Sequence, residues 1–235
     1  PFYRLGHCLF AVGIEGMSVS DSPIRPDYEA LASAPVATDP FLHMVVPHFI
    51  PPGELPRLFE SLPDISSGGS FPPTSLRVSS LFGGLLQEME GQKLRDLIAL
   101  KLGMDLADAP TMLTVRGRTR DKDGRIHTDS VAKRVTALLY LNPSGPTWQQ
   151  QEGCLRVLRG PHDIEDYVRE VPPVDGTLLV FQNGPTAWHG HRRFVGQRYT
   201  IQLNYMTQDG VARSELLRHR LSAVAKKLTL SSNRG

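Results

Sequence analysis

The 235-residue sequence holds only two cysteines, Cys8 and Cys154. Two thiols so placed do not make a disulfide framework, so a small stapled secreted domain is excluded and a reducing, cytoplasmic setting is the default expectation. Aromatic residues amount to 7% and the formal net charge is only +2. The basic residues do not interleave with aromatics as a stacking groove requires, so no nucleic-acid partner is expected. No apolar run approaches the roughly 20 residues that cross a bilayer, so no membrane partner is expected either. Low-complexity tracts and internal repeats are also missing.

What is present is ordinary for a packed domain: 40% hydrophobic and 21% charged residues. A chain of this length can bury an ample core without staples. The first 38 residues read as a leader and an extended arm. Within them, Cys8–Ile14 is apolar but makes a weak secretory signal, because only Arg4 precedes it and no clear cleavage site follows. Residues 1–16 are therefore read as an appended leader or an over-extended reading frame. Residues 39–228 read as one domain.

Its first half is helical in texture. Phe41–Ile50 suggests a strand running into a turn, Pro51-Pro52 opens a short helix over Gly53–Leu62, and Ser66–Ser75 is a Gly/Ser/Pro loop. Apolar residues at 85, 86, 89, 95, 98 and 102 have helical spacing, and Gly103 stops the run. The texture then changes to short β-rich runs at Thr111–Arg118, Lys133–Leu141, Cys154–Leu158, Gly176–Phe181 and Arg198–Met206. Strands this short and dense suggest a sandwich or jelly roll. Val211–Leu228 reads as a basic terminal helix. The fold class is thus mainly β with flanking helices.

The chemistry concentrates in the β-rich part. His127 and Asp129 are two apart in an extended segment, so both side chains point to one face and can hold one ion. His189 lies before the next polar strand and is a candidate third ligand. Two imidazoles and one carboxylate leave the opposite side of an ion open, the donor set of non-heme Fe(II) oxygenases. Zinc in a closed site fits less well, because only Cys154 is near. Arg198, Thr200, Gln202 and Asn204 share one face of an otherwise apolar strand, which suggests a lined cavity.

His127-Thr-Asp129, Val135–Asn142, Glu152–Val157, Gly176–Phe181 and His189 with Arg198 nine positions on, in this order, resemble the prolyl-hydroxylase-like branch of the 2-oxoglutarate/Fe(II) oxygenases. The resemblance covers roughly residues 111–206. It implies a double-stranded β-helix, a distorted jelly roll with a metal at its mouth. It implies Fe(II) and 2-oxoglutarate as cofactors, with ascorbate as a supporting reductant and dioxygen as a partner. His127, Asp129 and His189 match the iron ligands. Arg198 matches the residue that pairs with the distal oxoacid carboxylate, with Tyr140 and Thr200 as further contacts. The implied reaction hydroxylates an unactivated C–H and releases succinate and CO2. The substrate is a prolyl residue of a protein or a small molecule.

Arg116, Asn183, Trp188, His191 and Gln202 are candidate substrate contacts. Arg116 stands where relatives often place a tyrosine, a departure that points to a changed contact with an anionic substrate or to a solvated side chain. His191 competes with His189 as a ligand, but falls two positions late. The rival readings are a jelly-roll binding protein without turnover and a cupin-type metalloenzyme using another ion.

Overall fold

The computed structural model describes residues 22–218; the leader 1–16 and the end of the expected terminal helix fall outside that range. The chain begins with α1 (Tyr28–Ser33), β1 (His43–Val46) and α2 (Leu55–Glu60), the last entered through a 3-10 turn at Pro52–Glu54. Next come α3 (Ser80–Met89) and α4 (Gln92–Leu102). The single helix expected over Leu85–Leu102 is therefore two. Glu90 ends α3, and Gly91 is extended at φ −67°, ψ 155° to start α4. A Cβ on Gly91 would sit 2.9 Å from the Glu88 carbonyl oxygen, so glycine suits this sharp restart. Gly103 ends α4 in the left-handed conformation, as its position predicts.

Beyond the helices lie β2 (Thr111–Thr119), β3 (Lys133–Tyr140), α5 (Pro146–Gln149), β4 (Leu155–Leu158), β5 (Tyr167–Val171), β6 (Leu178–Gln182), β7 (His189–His191) and β8 (Gly196–Met206). Residues 210–218 are helical. The strands form two antiparallel sheets: a major one in the order β1-β6-β3-β8-β2 and a minor one in the order β5-β4-β7. This is the double-stranded β-helix, or distorted jelly roll. Strands β5 and β7 do not show in the sequence pattern. β7 is His-Gly-His, three residues with no β-branched member.

Period-two alternation divides the major sheet between two jobs. In β3, Val135, Ala137 and Leu139 join α3 and α4 in the larger core, through Leu85, Met89 and Ile98. Their neighbours Leu138 and Tyr140 face the minor sheet, where they pack with Leu155, Val157, Leu179 and Phe181. β8 repeats the division: Ile201, Leu203 and Tyr205 enter the helical core, and Arg198, Thr200, Gln202 and Asn204 line a cavity. Both faces of the sheet are thus covered, one by helices and one by the second sheet. That explains why β3 and β6 read as nearly continuous apolar runs.

Candidate active site

The cavity between the sheets has a volume of about 230 Å³. His127, Asp129 and His189 stand together on its wall, and one ligating atom from each lies within 4.8 Å of the others. Their placement follows from the strands. His127 and His189 form an isolated antiparallel bridge, with the His127 amide donating to the His189 carbonyl and the reverse, both at 3.0 Å. That bridge brings the imidazole centroids to 4.3 Å. Asp129 follows two residues later, just before β3.

Each imidazole is oriented by its own backbone. His127 Nδ1 contacts the Arg125 carbonyl at 2.8 Å and His189 Nδ1 the Ala187 carbonyl at 3.0 Å. With Nδ1–H donating there, Nε2 of both rings is left as a lone-pair donor. Burial, with His127 close by, pushes His189 down to about 4 against the pull of Asp129, so it is neutral at pH 7. Burial works to raise the Asp129 carboxyl, but Lys133, His189 and two hydrogen bonds outweigh it and hold it below the usual carboxylate range. Those bonds come from Lys133 Nζ to Oδ1 and Thr136 Oγ1 to Oδ2, both 2.7 Å. His189 thus presents a neutral nitrogen and Asp129 an ionised oxygen, with the His127 ring beside them.

Arg198 lies deeper in the cavity and is 7% exposed. Its Nε donates to the Gly153 carbonyl at 2.9 Å and its Nη1 reaches Thr200 Oγ1 at 3.4 Å. No carboxylate among the described residues pairs with it, although a buried cation without an anion is costly. Its guanidinium stands 5.2 Å from the centroid of the Tyr140 ring. The Tyr140 hydroxyl is fully buried and has no hydrogen-bond partner. Burial pushes that phenol up to about 12, with Arg198 pulling the other way, so it remains a donor at neutral pH. An unpaired guanidinium beside an orphaned hydroxyl donor is a place made for a carboxylate.

The sequence-derived residues are largely gathered here. His191, Gln202 and Arg116 line the cavity. Tyr140 lies just behind the wall. Asn183 lies there too and donates to Thr136 Oγ1 at 2.9 Å. Trp188 is half-buried and outside the cavity wall. Lys133 was not singled out from the sequence, although its position four residues after Asp129 is the available sign. Ser70 was also missed: it contacts Arg116 from 46 residues away, and nothing local announces that pairing.

A family model for the 2OG-Fe(II) oxygenase superfamily matches residues 117–206. Over these residues the chain matches the 2OG-Fe(II) oxygenase superfamily. Its match begins inside β2 and ends with β8, so it spans the three metal-site candidates and Arg198. The chain is similar in structure to a prolyl 4-hydroxylase from Phytophthora capsici (TM-score 0.52, 14% identity, 86% of this chain and 77% of that one). It is also similar to a Pseudomonas putida prolyl-4-hydroxylase (TM-score 0.49, 20% identity, 80% of this chain and 98% of that one). A third similar structure is HygX from Streptomyces hygroscopicus with nickel and 2-oxoglutarate bound (TM-score 0.44, 16% identity, 71% of this chain and 82% of that one). A search of curated proteins finds no match. The enzyme is a 2-oxoglutarate-dependent dioxygenase, and its cofactors are Fe(II) and 2-oxoglutarate. The oxygenase domain fits both groups: the His/Asp/His donors suit the ion, and the unpaired Arg198 and Tyr140 suit the oxoacid.

Proposed function

We propose that this dioxygenase hydroxylates an unactivated C–H bond, with His127, Asp129 and His189 as the iron ligands and Arg198 as the anchor of 2-oxoglutarate. The observation that carries the reading is the convergence of the three ligand atoms within 4.8 Å on the wall of the cavity that also holds the buried, anion-less Arg198. When bound, the two groups supply the oxidation: dioxygen and 2-oxoglutarate yield succinate, CO2 and one oxygen atom for the substrate C–H.

The protein's own residues orient and shield. Arg198 offers its guanidinium fork to the distal carboxylate, and Tyr140 and Thr200 donate hydroxyl hydrogen bonds to the same group. Lys133 and Thr136 fix the Asp129 carboxylate in one orientation, so that one of its oxygens can face an ion while the other stays held. Phe181 packs its ring 4.8 Å from that of His189. With Leu138 and Leu155 it gives the cavity an apolar flank that keeps water from the reacting centre.

The test is an anaerobic titration of the protein with Fe(II) and 2-oxoglutarate, followed through the visible charge-transfer band of the chelate. The expected result is a band in wild type that Asp129→Ala abolishes and that Arg198→Ala restores only at much higher oxoacid concentration. Bound iron with no band in wild type would overturn the oxoacid assignment. Wild type that binds no iron would overturn the ligand assignment.

A further inference from the structure

The oxoacid end of the cavity accounts for Arg198. A second guanidinium, that of Arg116, faces the same space from β2. Arg116 pairs in register with Thr200 across β2 and β8, and Thr200 with Tyr140 across β8 and β3. It therefore belongs to the same row of side chains as the oxoacid contacts, one strand further out. It is half-buried, and burial pulls it below its ordinary value while Asp123 opposes. Yet it makes no ion pair among the described residues: Asp123 is taken by Arg120, and Asp129 by Lys133.

The side chain is nonetheless held. Its Nε donates to Ser70 Oγ at 2.9 Å. Ser70 is delivered by the neighbouring Phe71, whose backbone bridges Val115 in both directions at 2.8 and 2.9 Å. One hydrogen bond to Nε steadies the guanidinium and leaves both Nη groups without an acceptor among the described residues. A prearranged fork with no anion is the arrangement that binds a carboxylate in two places at once. The surroundings agree. In formal charge, the ion and Arg198 balance the oxoacid and Asp129, which leaves Lys133 and Arg116 as excess positive charge on the cavity wall. Thr114, Gln202 and Asn204 complete that wall with hydroxyl and amide groups. Gln202 Nε2 already donates to Asn204 Oδ1 and Asn204 Nδ2 to the Met112 carbonyl, both at 3.3 Å, so an apolar ring placed there would leave the Arg116 guanidinium, rather than these amides, without a partner.

Resting on the proposed reading of the site, we infer that the substrate carries a carboxylate, and that Arg116, steadied by Ser70, is the residue that recognises it. The substrate is accordingly a polar organic acid, and a neutral, apolar prolyl ring is a poor occupant. Arg116 acts as a specificity residue and leaves the oxidation to the metal site.

The experiment uses the anaerobic wild-type protein loaded with Fe(II) and 2-oxoglutarate, with perturbation of the charge-transfer band as the readout. The probes are matched pairs: L-proline, L-leucine and hexanoate against L-prolinamide, L-leucinamide and hexanamide. A capped peptide pair, acetyl-Ala-Glu-Ala-amide and acetyl-Ala-Gln-Ala-amide, distinguishes a free acid from an acidic side chain. The expected result is a preference for at least one acid over its amide of about tenfold or more. Arg116→Gln erases the preference, Arg116→Lys restores part of it, and the 2-oxoglutarate concentration for half-formation of the band stays within about twofold of wild type. Acids and amides that act alike, or no response to any acid while the band is present, would overturn the inference and leave the dioxygenase reading intact. A large rise in the 2-oxoglutarate requirement of Arg116→Gln would also overturn it, because Arg116 would then belong to the oxoacid. Absence of the band in wild type would fail the underlying reading itself.

Discussion

The two cationic ends of the cavity are built differently. Around Arg198 every contact comes from the strand core or its immediate continuation: Thr200 on the same strand, Tyr140 on the next, the Gly153 carbonyl just before β4. Around Arg116 the support comes from a loop, through Ser70, and the edge strand that carries the arginine is paired on its far side, among the described residues, by the Phe71 bridge rather than by a full strand. A site held by central strands is precise because neighbours on all sides fix its rotamers. A site held by an edge strand and a loop can be altered without disturbing the core. The end proposed to bind 2-oxoglutarate has the first construction, and the end assigned to substrate choice has the second.

The contrast can be broken by substitution. The largest effect is expected at Arg198. Arg198→Ala leaves Tyr140 as the main donor to the distal carboxylate, and the apparent KM for 2-oxoglutarate, measured by succinate release, rises by roughly two orders of magnitude. If Arg198→Ala instead changed only substrate preference, the division between the ends would be wrong. Next is Lys133→Met, which removes one of the two hydrogen bonds steadying Asp129. Iron affinity, measured by competition with a chelator, falls by about tenfold while the 2-oxoglutarate requirement at saturating iron changes little. The smallest effect is expected at Tyr140→Phe. It removes a buried hydroxyl that has no protein partner, so the cofactor-free protein is as stable as wild type or about 1 kcal/mol more stable by denaturant titration. The same change weakens 2-oxoglutarate binding several-fold, on the order of 1 kcal/mol. A loss of stability in the cofactor-free form would mean that the hydroxyl is satisfied within the fold.

Much of this arrangement is legible before folding. The period of two in Arg198–Asn204 sorts polar from apolar residues onto opposite faces, and the structure places the polar set on the cavity. His-x-Asp carries its geometry in its spacing, because neighbours two apart in extended chain point the same way. Signals that need the third dimension are not legible. His-Gly-His at 189–191 becomes a strand only because β4 pairs with it. The break at Gly91 is hidden by an apolar spacing that continues across it. In the sequence Lys133 shows only as the start of a strand, and its pairing with Asp129 depends on the turn between them. Ser70 sits in a loop whose partner is fixed by the Phe71–Val115 bridge, a contact no local pattern encodes.

That bridge has a consequence for solubility. β2 is the outer strand of the major sheet, and an unprotected outer strand is a template on which a second chain can add by backbone pairing. Phe71, packed into the core at 5% exposure and bonded to Val115, occupies part of that edge. The segment that steadies Arg116 therefore also blocks sheet-to-sheet addition between molecules. Shortening it to enlarge the substrate chamber would trade selectivity for aggregation, whereas exchanging Ser70 alone, with Phe71 retained, changes recognition and keeps that part of the edge covered.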